Sequence, residues 1–168
     1  MRKIKKFCVS LICIIFIFVI SSCLFFYDRY FLIKPLPSGI PLEIRVDNYG
    51  DGHFGSRRSG GRRHRGIDLS APLNTPVLCA KLGIVEKTAY DKVSGNYVVI
   101  QHLHNLKSYY LHLSEIKVKK GQLVKQAQVI GTVGNTGNAN QKGMKTHLHF
   151  EIREDGKAQD IMKKWEIN

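Results

Sequence analysis

The chain has 168 residues, 43% of them hydrophobic and 23% charged, and a formal net charge of +13 at pH 7. That length holds one domain of ordinary size beside any targeting segment. Of four cysteines, Cys8, Cys13 and Cys23 lie near the N-terminus and Cys79 has no partner in the body of the chain, which excludes a disulfide-stapled scaffold.

Residues 1–6, MRKIKK, place four cations before an apolar run of twenty residues from Phe7 to Phe26. Such a run is about long enough to cross a ~30 Å hydrocarbon core as a helix, and the cations ahead of it favour a cytoplasmic N-terminus. The first choice is an uncleaved signal anchor over residues 1–27, holding the rest at the cell membrane and facing the periplasm or cell exterior. The second is a lipoprotein, since ISSC (Ile20 to Cys23) has the form of a lipobox and would make Cys23 the lipidated residue. The third is a cleaved secretory signal. The stretch LFFYDRYFLI, apolar beyond the would-be cleavage point, argues against both alternatives, and all three readings put the domain outside the cytoplasm.

Residues 28–45, with Pro35, Pro37, Gly39 and Pro41, read as an extended tether. From Val46 to Asn168 the punctuation is that of an all-β domain. Short β-branched and aromatic runs (PVLCA, GIVEKTAY, NYVVIQH, SYYLHLS, QVIGTVG, HLHFEIRE) alternate with Gly, Asn and Asp turns, and no long 3.6-residue apolar period appears after residue 30. The tail DIMKKWEIN is too short to assign. Two stretches, APLNTPVLCAKLGIV and VKKGQLVKQAQVIGTVG, share one rhythm and predict two related hairpins in a small barrel or sandwich. The second also resembles a biotinyl-type carrier hairpin but lacks a lysine at the tip. Cys79 reads as a small core residue on a strand.

Residues 31–168 carry 21 Lys/Arg against 12 Asp/Glu. Outside a cell such a basic domain meets anionic wall polymers, peptide carboxylates and lipid headgroups rather than nucleic acid. The cluster RRSGGRRHR has no interleaved aromatics and lies in a Gly-rich stretch, unlike a nucleic-acid module. It reads either as a solvated loop or as a contact to substrate or phosphate.

The histidines come in patterns of unequal weight. His64 and Asp68 stand four apart in GGRRHRGIDLSAP, with Gly66 between them to let the chain turn. In NYVVIQHLHNLK, His102 and His104 end a strand and run into a turn. In SYYLHLSEI, alternation puts Tyr110 and His112 on one face and Leu111 and Leu113 on the other. In THLHFEI the alternation is strict: His147, His149 and Glu151 share one face, and Leu148, Phe150 and Ile152 the other. A catalytic zinc site needs three ligands from His, Asp, Glu or Cys and an open position, and a polar row on a rigid strand suits one. Singly, each pattern is also compatible with ordinary surface or strand histidines.

As an ordered set, FGSRRSGGRRHRGIDLSAPLNTPV, GNYVVIQH, YYLHLS, VKKGQLVKQAQVIGTVGNTGNA and THLHFEI resemble the lysostaphin-type, LytM-like zinc metallopeptidases that cleave peptidoglycan. The resemblance runs from about Gly50 to Gly156. It implies a small antiparallel sheet core of barrel-sandwich hybrid type and one zinc ion per domain, with His64, Asp68 and His149 as ligands. It also implies catalytic roles for His112 and His147 beside the reactive water, and a non-ligand place for His102. The implied activity is endopeptidase cleavage of stem peptides or cross-links, with peptidoglycan as partner and the membrane reached through the N-terminal segment. The segment GNANQKGMKTHLHFE departs from the family, where a shorter stretch with a Pro before HLH is common; the loop beside the cleft should differ accordingly. No HExxH motif is present, so the two histidines would share the acid and base work, and Glu151 could orient a histidine. Asn96, Tyr110 and Arg63 are candidate subsite residues. The main alternative is a non-catalytic LytM-like module that binds the wall and activates a cell-wall amidase. Such a module should lack one of the five polar positions, and all five are here.

Overall fold

The β-branched runs and their Gly, Asn and Asp turns fold as antiparallel strands in the computed structural model, which describes residues 12–22 and 31–166. Two units are distinguished, Met1–Phe31 and Leu32–Asn168. In the first, residues 12–22 form helix α1, with apolar side chains such as Phe16 and Phe18 exposed. Among the described residues no helix is long and apolar enough to cross a membrane. The span expected from Phe7 to Phe26 runs past both ends of α1 into residues outside the described ones, and Cys23 is among those.

In the second unit, β1 (Val46–Asp47) and β2 (Gly50–Asp51) form a small ribbon. A nine-stranded sheet follows. Its strands are β3 (Ile67–Ser70), β4 (Pro76–Leu78), β5 (Gly83–Asp91), β6 (Gly95–Gln101), β7 (Leu106–Ile116), β8 (Leu123–Val124), β9 (Val129–Val133), β10 (His147–Glu154) and β11 (Lys157–Gln159). They run in the order β11-β10-β7-β6-β5-β8, with β3 beside β10 and β9 joining β4 to β7. Among the described residues the domain is therefore all-β, as the alternation predicts, with only short 3-10 turns and a helix α2 (Ile161–Glu166) besides.

The two rhythmic stretches are not separate hairpins. They pair with each other: β4 lies on β9 in the register Pro76↔Thr132, and the start of β5 lies on β8 with Gly83↔Val124. Their shared pattern is the pattern of two partners lining the same core, where Val77, Val85, Val124 and Ile130 are buried. Cys79 sits fully buried in that seam, its thiol donating to the Lys81 carbonyl at 2.9 Å. Burial pushes the thiol up to about 11, so it is an inert core residue.

Residues 32–45, expected as a tether, carry no regular strand but are laid onto the sheet. Leu32 and Leu36 enter the core, Ile33 N–H donates to Ala80 O, Leu78 N–H donates to Pro35 O, and Ile44 bridges Leu69. Two leucines that would be exposed on a free tether account for this, since burial of each stabilises by roughly 1.5–3 kcal/mol. The C-terminal helix closes over the same edge: Ile161 is buried, Trp165 stacks on Phe150 with centroids 5.9 Å apart, and its indole N–H donates to Leu32 O at 3.0 Å.

Tyr110 is a correction to its reading as a subsite residue. It is fully buried against Phe150, and its phenol oxygen accepts the Ala80 N–H at 2.8 Å. Replacing it with Phe should keep the fold and lower stability by about 1–3 kcal/mol, because the Ala80 N–H is left without a partner in a dry seam. A urea unfolding curve reads this directly; an unchanged midpoint would mean that water reaches Ala80.

Candidate metal centre

Strand register brings two of the predicted ligands together. In the β3–β10 pairing, Asp68 lies directly opposite His149, so both side chains leave the same face of the sheet. The other face of β10 delivers Leu148, Phe150 and Ile152 to the core with no exposed surface, as the alternation predicts.

His64 arrives from the loop before β3. Its N–H donates to Ser56 O and its carbonyl accepts from Gly55 N–H. Gly66, read in the sequence as a turn residue, has no left-handed backbone; it is needed for close approach. A Cβ there would lie 2.4 Å from Phe150 O and 3.0 Å from His149 Nε2.

The three ligand atoms form a tight triangle. His64 Nε2 lies 2.9 Å from His149 Nδ1 and 3.1 Å from Asp68 Oδ1, and His149 Nδ1 lies 2.9 Å from Asp68 Oδ1. These residues form a group able to hold a metal ion. Zinc bonds of about 2.0–2.2 Å place tetrahedral ligand atoms about 3.3 Å apart, so a small outward shift accommodates the ion. His64 Nδ1–H donates to His53 O at 2.9 Å, which leaves the Nε2 lone pair for the centre. His149 turns its Nε2 towards Glu151 Oε2 at 3.9 Å, and Arg153 donates to Glu151 Oε1 at 2.7 Å.

Electrostatics favour a charged centre. Burial works against the Asp68 carboxylate, but hydrogen bonds and charge from His149 and His64 outweigh it and hold the group well below its usual range. Its outer oxygen, Oδ2, accepts from Arg45 at 3.0 Å and Arg58 at 2.9 Å. Burial likewise opposes a proton on His149, yet the hydrogen bonds to Asp68 and Glu151 raise it to about 9. Metal must therefore displace a proton from this ring.

His112 reaches the same cleft by a route that simple alternation misses. Strand β7 pairs with β10 as far as Leu111 and with β9 from Leu113, and His112 stands at the change of partner with φ +65°. A left-handed residue there reverses the expected facing: Tyr110 and Leu113 both enter the core, while Leu111 and His112 line the cleft. The kink is held by His112 N–H donating to Ser94 O, and by Asn96 donating its side-chain amide to Leu113 O. Asn96, a candidate subsite residue in the sequence, thus supports the kink.

His112 and His147 are anchored alike. His112 Nδ1–H donates to Thr136 O at 3.0 Å, and His147 Nδ1–H to Lys145 O at 2.8 Å. In a neutral ring each keeps a lone pair on Nε2. Their centroids are 5.2 Å apart, and that of His112 is 6.1 Å from His149. Burial, with the positive His149 and then the neighbouring His147 ring, lowers His112 to about 3, and burial also lowers His147.

By contrast, His102 is tied down away from the cleft, Nδ1 to Leu82 O and Nε2 to Ser108 Oγ at 2.7 Å, and His104 sits in a turn with φ +57°. The cleft itself has a volume of about 710 Å³. Asn138 and Met144, from the long loop that departs from the family pattern, line it; that loop is pinned by Lys145 N–H to Asp47 and by Tyr49 O–H to Lys142 O. Arg63 lines it too, whereas buried Arg45 and half-buried Arg58, which stand behind Asp68, were not singled out in the sequence. Arg58 had only its place in the cluster RRSGGRRHR as a sequence signal, and Arg45, outside that cluster, had none.

Residues 62–161 match Peptidase family M23. The peptidoglycan DD-endopeptidase ShyC of Vibrio cholerae is 44% identical over 95 residues, which is 56% of this chain and 21% of that protein. The chain therefore spans about a fifth of that relative's length. Among solved structures, a zinc-containing peptidase from Vibrio cholerae is 34% identical with a TM-score of 0.59, over 77% of this chain and 40% of that one. The catalytic domain of lysostaphin from Staphylococcus simulans is 30% identical with a TM-score of 0.58, over 71% of this chain and 90% of that domain. Because the family match takes in the whole run from Arg62 to Ile161, more than half of the sequence, the chain belongs to peptidase family M23.

Proposed function

We propose that the chain is a zinc-dependent endopeptidase that hydrolyses peptide bonds in the stem peptides or cross-links of peptidoglycan. The observation that carries this reading is the convergence of His64, Asp68 and His149 with His112 and His147 in one cleft. In it, His64 Nε2, Asp68 Oδ1 and His149 Nδ1 would hold one zinc ion, and Arg45 and Arg58 keep Asp68 oriented. Zinc so held supplies Lewis-acid polarisation of the scissile carbonyl and a water whose pKa falls to about 7. His112 and His147, each fixed by its Nδ1–H, present Nε2 lone pairs into the cleft. The ring whose Nε2 takes the proton from the attacking water carries that same proton to the leaving amine, while the Nε2 lone pair of the other accepts a hydrogen bond from the water and orients it. The basic leader and apolar run of residues 1–27 support action outside the cytoplasm, at the membrane.

The reading is tested by mass spectrometry of fragments released from purified peptidoglycan by the zinc-loaded chain. Release of muropeptides of defined mass is expected, and their masses name the bond cut. Zinc-bound chain that releases nothing, but stimulates an added cell-wall amidase, would replace it with the non-catalytic wall-binding module.

A further inference from the structure

The loop that brings in His64 is a short antiparallel ribbon. Arg57 bridges Arg63, Arg58 N–H donates to Arg62 O, and the turn Ser59–Gly61 is closed by left-handed Gly60 and Gly61. It forms one wall of the cleft. Arg58 is committed to Asp68 and to Asp51 O. Arg57, Arg62 and Arg63 are exposed, and among the described residues no carboxylate lies within ion-pair distance of them; Arg62 and Arg63 hold only the backbone carbonyls of Ser59 and Gly55.

This arrangement opposes folding. Arg57 and Arg63 stand directly opposite across an antiparallel bridge, and like charges so placed repel. Among the described residues no ion pair compensates them, and they line the cleft together with the uncharged Val93, Ser94, Leu111, Asn138 and Met144. A planar guanidinium fork matches a carboxylate in two-point contact. A peptide lying over the His64–Asp68–His149 triangle would have its own carboxylates within reach of that wall, because Arg57, Arg62 and Arg63 line the same cleft as the triangle.

We infer that Arg57, Arg62 and Arg63 are specificity-determining residues that select acidic peptides, with free carboxyl groups flanking the scissile bond, over their amidated counterparts. The inference rests on the endopeptidase reading for the bond that is cut, but not for the binding preference.

The test uses the full zinc-loaded chain and two fluorescent branched peptides that differ only in free or amidated α-carboxyl groups. Each is made in a cleavable form and in a form with a ketomethylene at the scissile bond. By anisotropy the acidic ketomethylene peptide should bind about tenfold more tightly than the amidated one. In the triple variant Arg57→Gln, Arg62→Gln, Arg63→Gln the two should bind within about twofold of each other. The triple Lys variant should retain part of the preference, and the difference should appear in KM rather than kcat. Equal affinity in the parent, a preference that survives in the Gln variant, or a polyglycerol phosphate that displaces both peptides alike would overturn the inference. A parent that prefers the acidic peptide yet cuts neither would retire the endopeptidase reading and leave the arginine wall; cutting both peptides equally would do the reverse.

Discussion

Asp68→Ala should abolish zinc binding and hydrolysis and also lower the stability of the metal-free chain by about 3–5 kcal/mol, whereas His64→Ala should remove zinc and activity with little loss of stability. The difference lies behind the carboxylate. Asp68 Oδ1 belongs to the ligand triangle, but Oδ2 is the partner of Arg45, which is 3% exposed, and of Arg58. Alanine leaves the Arg45 guanidinium buried with Asp47 alone, and removing one member of a buried pair strands the other charge. His64 has no such dependant; its remaining bond goes to the His53 carbonyl beside the cleft. Zinc content by atomic absorption after gel filtration, with urea unfolding of the stripped proteins, separates the effects. Equal stability losses in the two variants would show that Arg45 finds a new partner or water.

The second large effect is expected at His112, and the replacement matters. The residue has φ +65°, where a non-glycine side chain is uncommon and Asn is tolerated best. His112→Asn should therefore keep the kink in β7 where its partner changes from β10 to β9, and keep zinc, while turnover falls by about 10²–10⁴ because the Nε2 lone pair is gone. Zinc content separates this from loss of the centre. Unchanged turnover would give His147 both proton roles.

The same residue should mark the acid stability of the metal-free protein. Its folded value, about 3, lies below the ordinary 6.5. Over that interval the unfolded chain binds the proton and the folded chain does not, so stability falls as the pH drops from 6.5 towards 3. His112→Asn should flatten that slope, as followed by circular dichroism in urea at fixed pH values. A slope as steep as the parent's would assign the effect to other groups, His147 first.

The strand content and the polar face of β10 were both legible in the sequence, because period-two alternation is a local property of the backbone. Leu148, Phe150 and Ile152 are core residues because their neighbours alternate with them, and no distant contact is needed to see it. The ordered set of HxxxD, a strand histidine and HxH pointed to the family for a related reason: chemistry that needs several fixed ligands leaves their types and spacing in the chain.

What alternation could not supply was pairing. That Asp68 stands opposite His149 is a fact of register between β3 and β10, which lie some eighty residues apart in sequence. The change of partner along β7 turned Tyr110 into the core and His112 into the cleft, reversing the facing expected from the strand alone. The tether was decided in the same way, since Leu32 and Leu36 are buried only because the sheet edge and Trp165 are there to receive them. A sequence fixes what each short segment prefers; which segments meet, and so which charges such as Arg45 and Arg58 come to stand behind a ligand, depends on contacts between distant parts of the chain and was decided only by the tertiary structure.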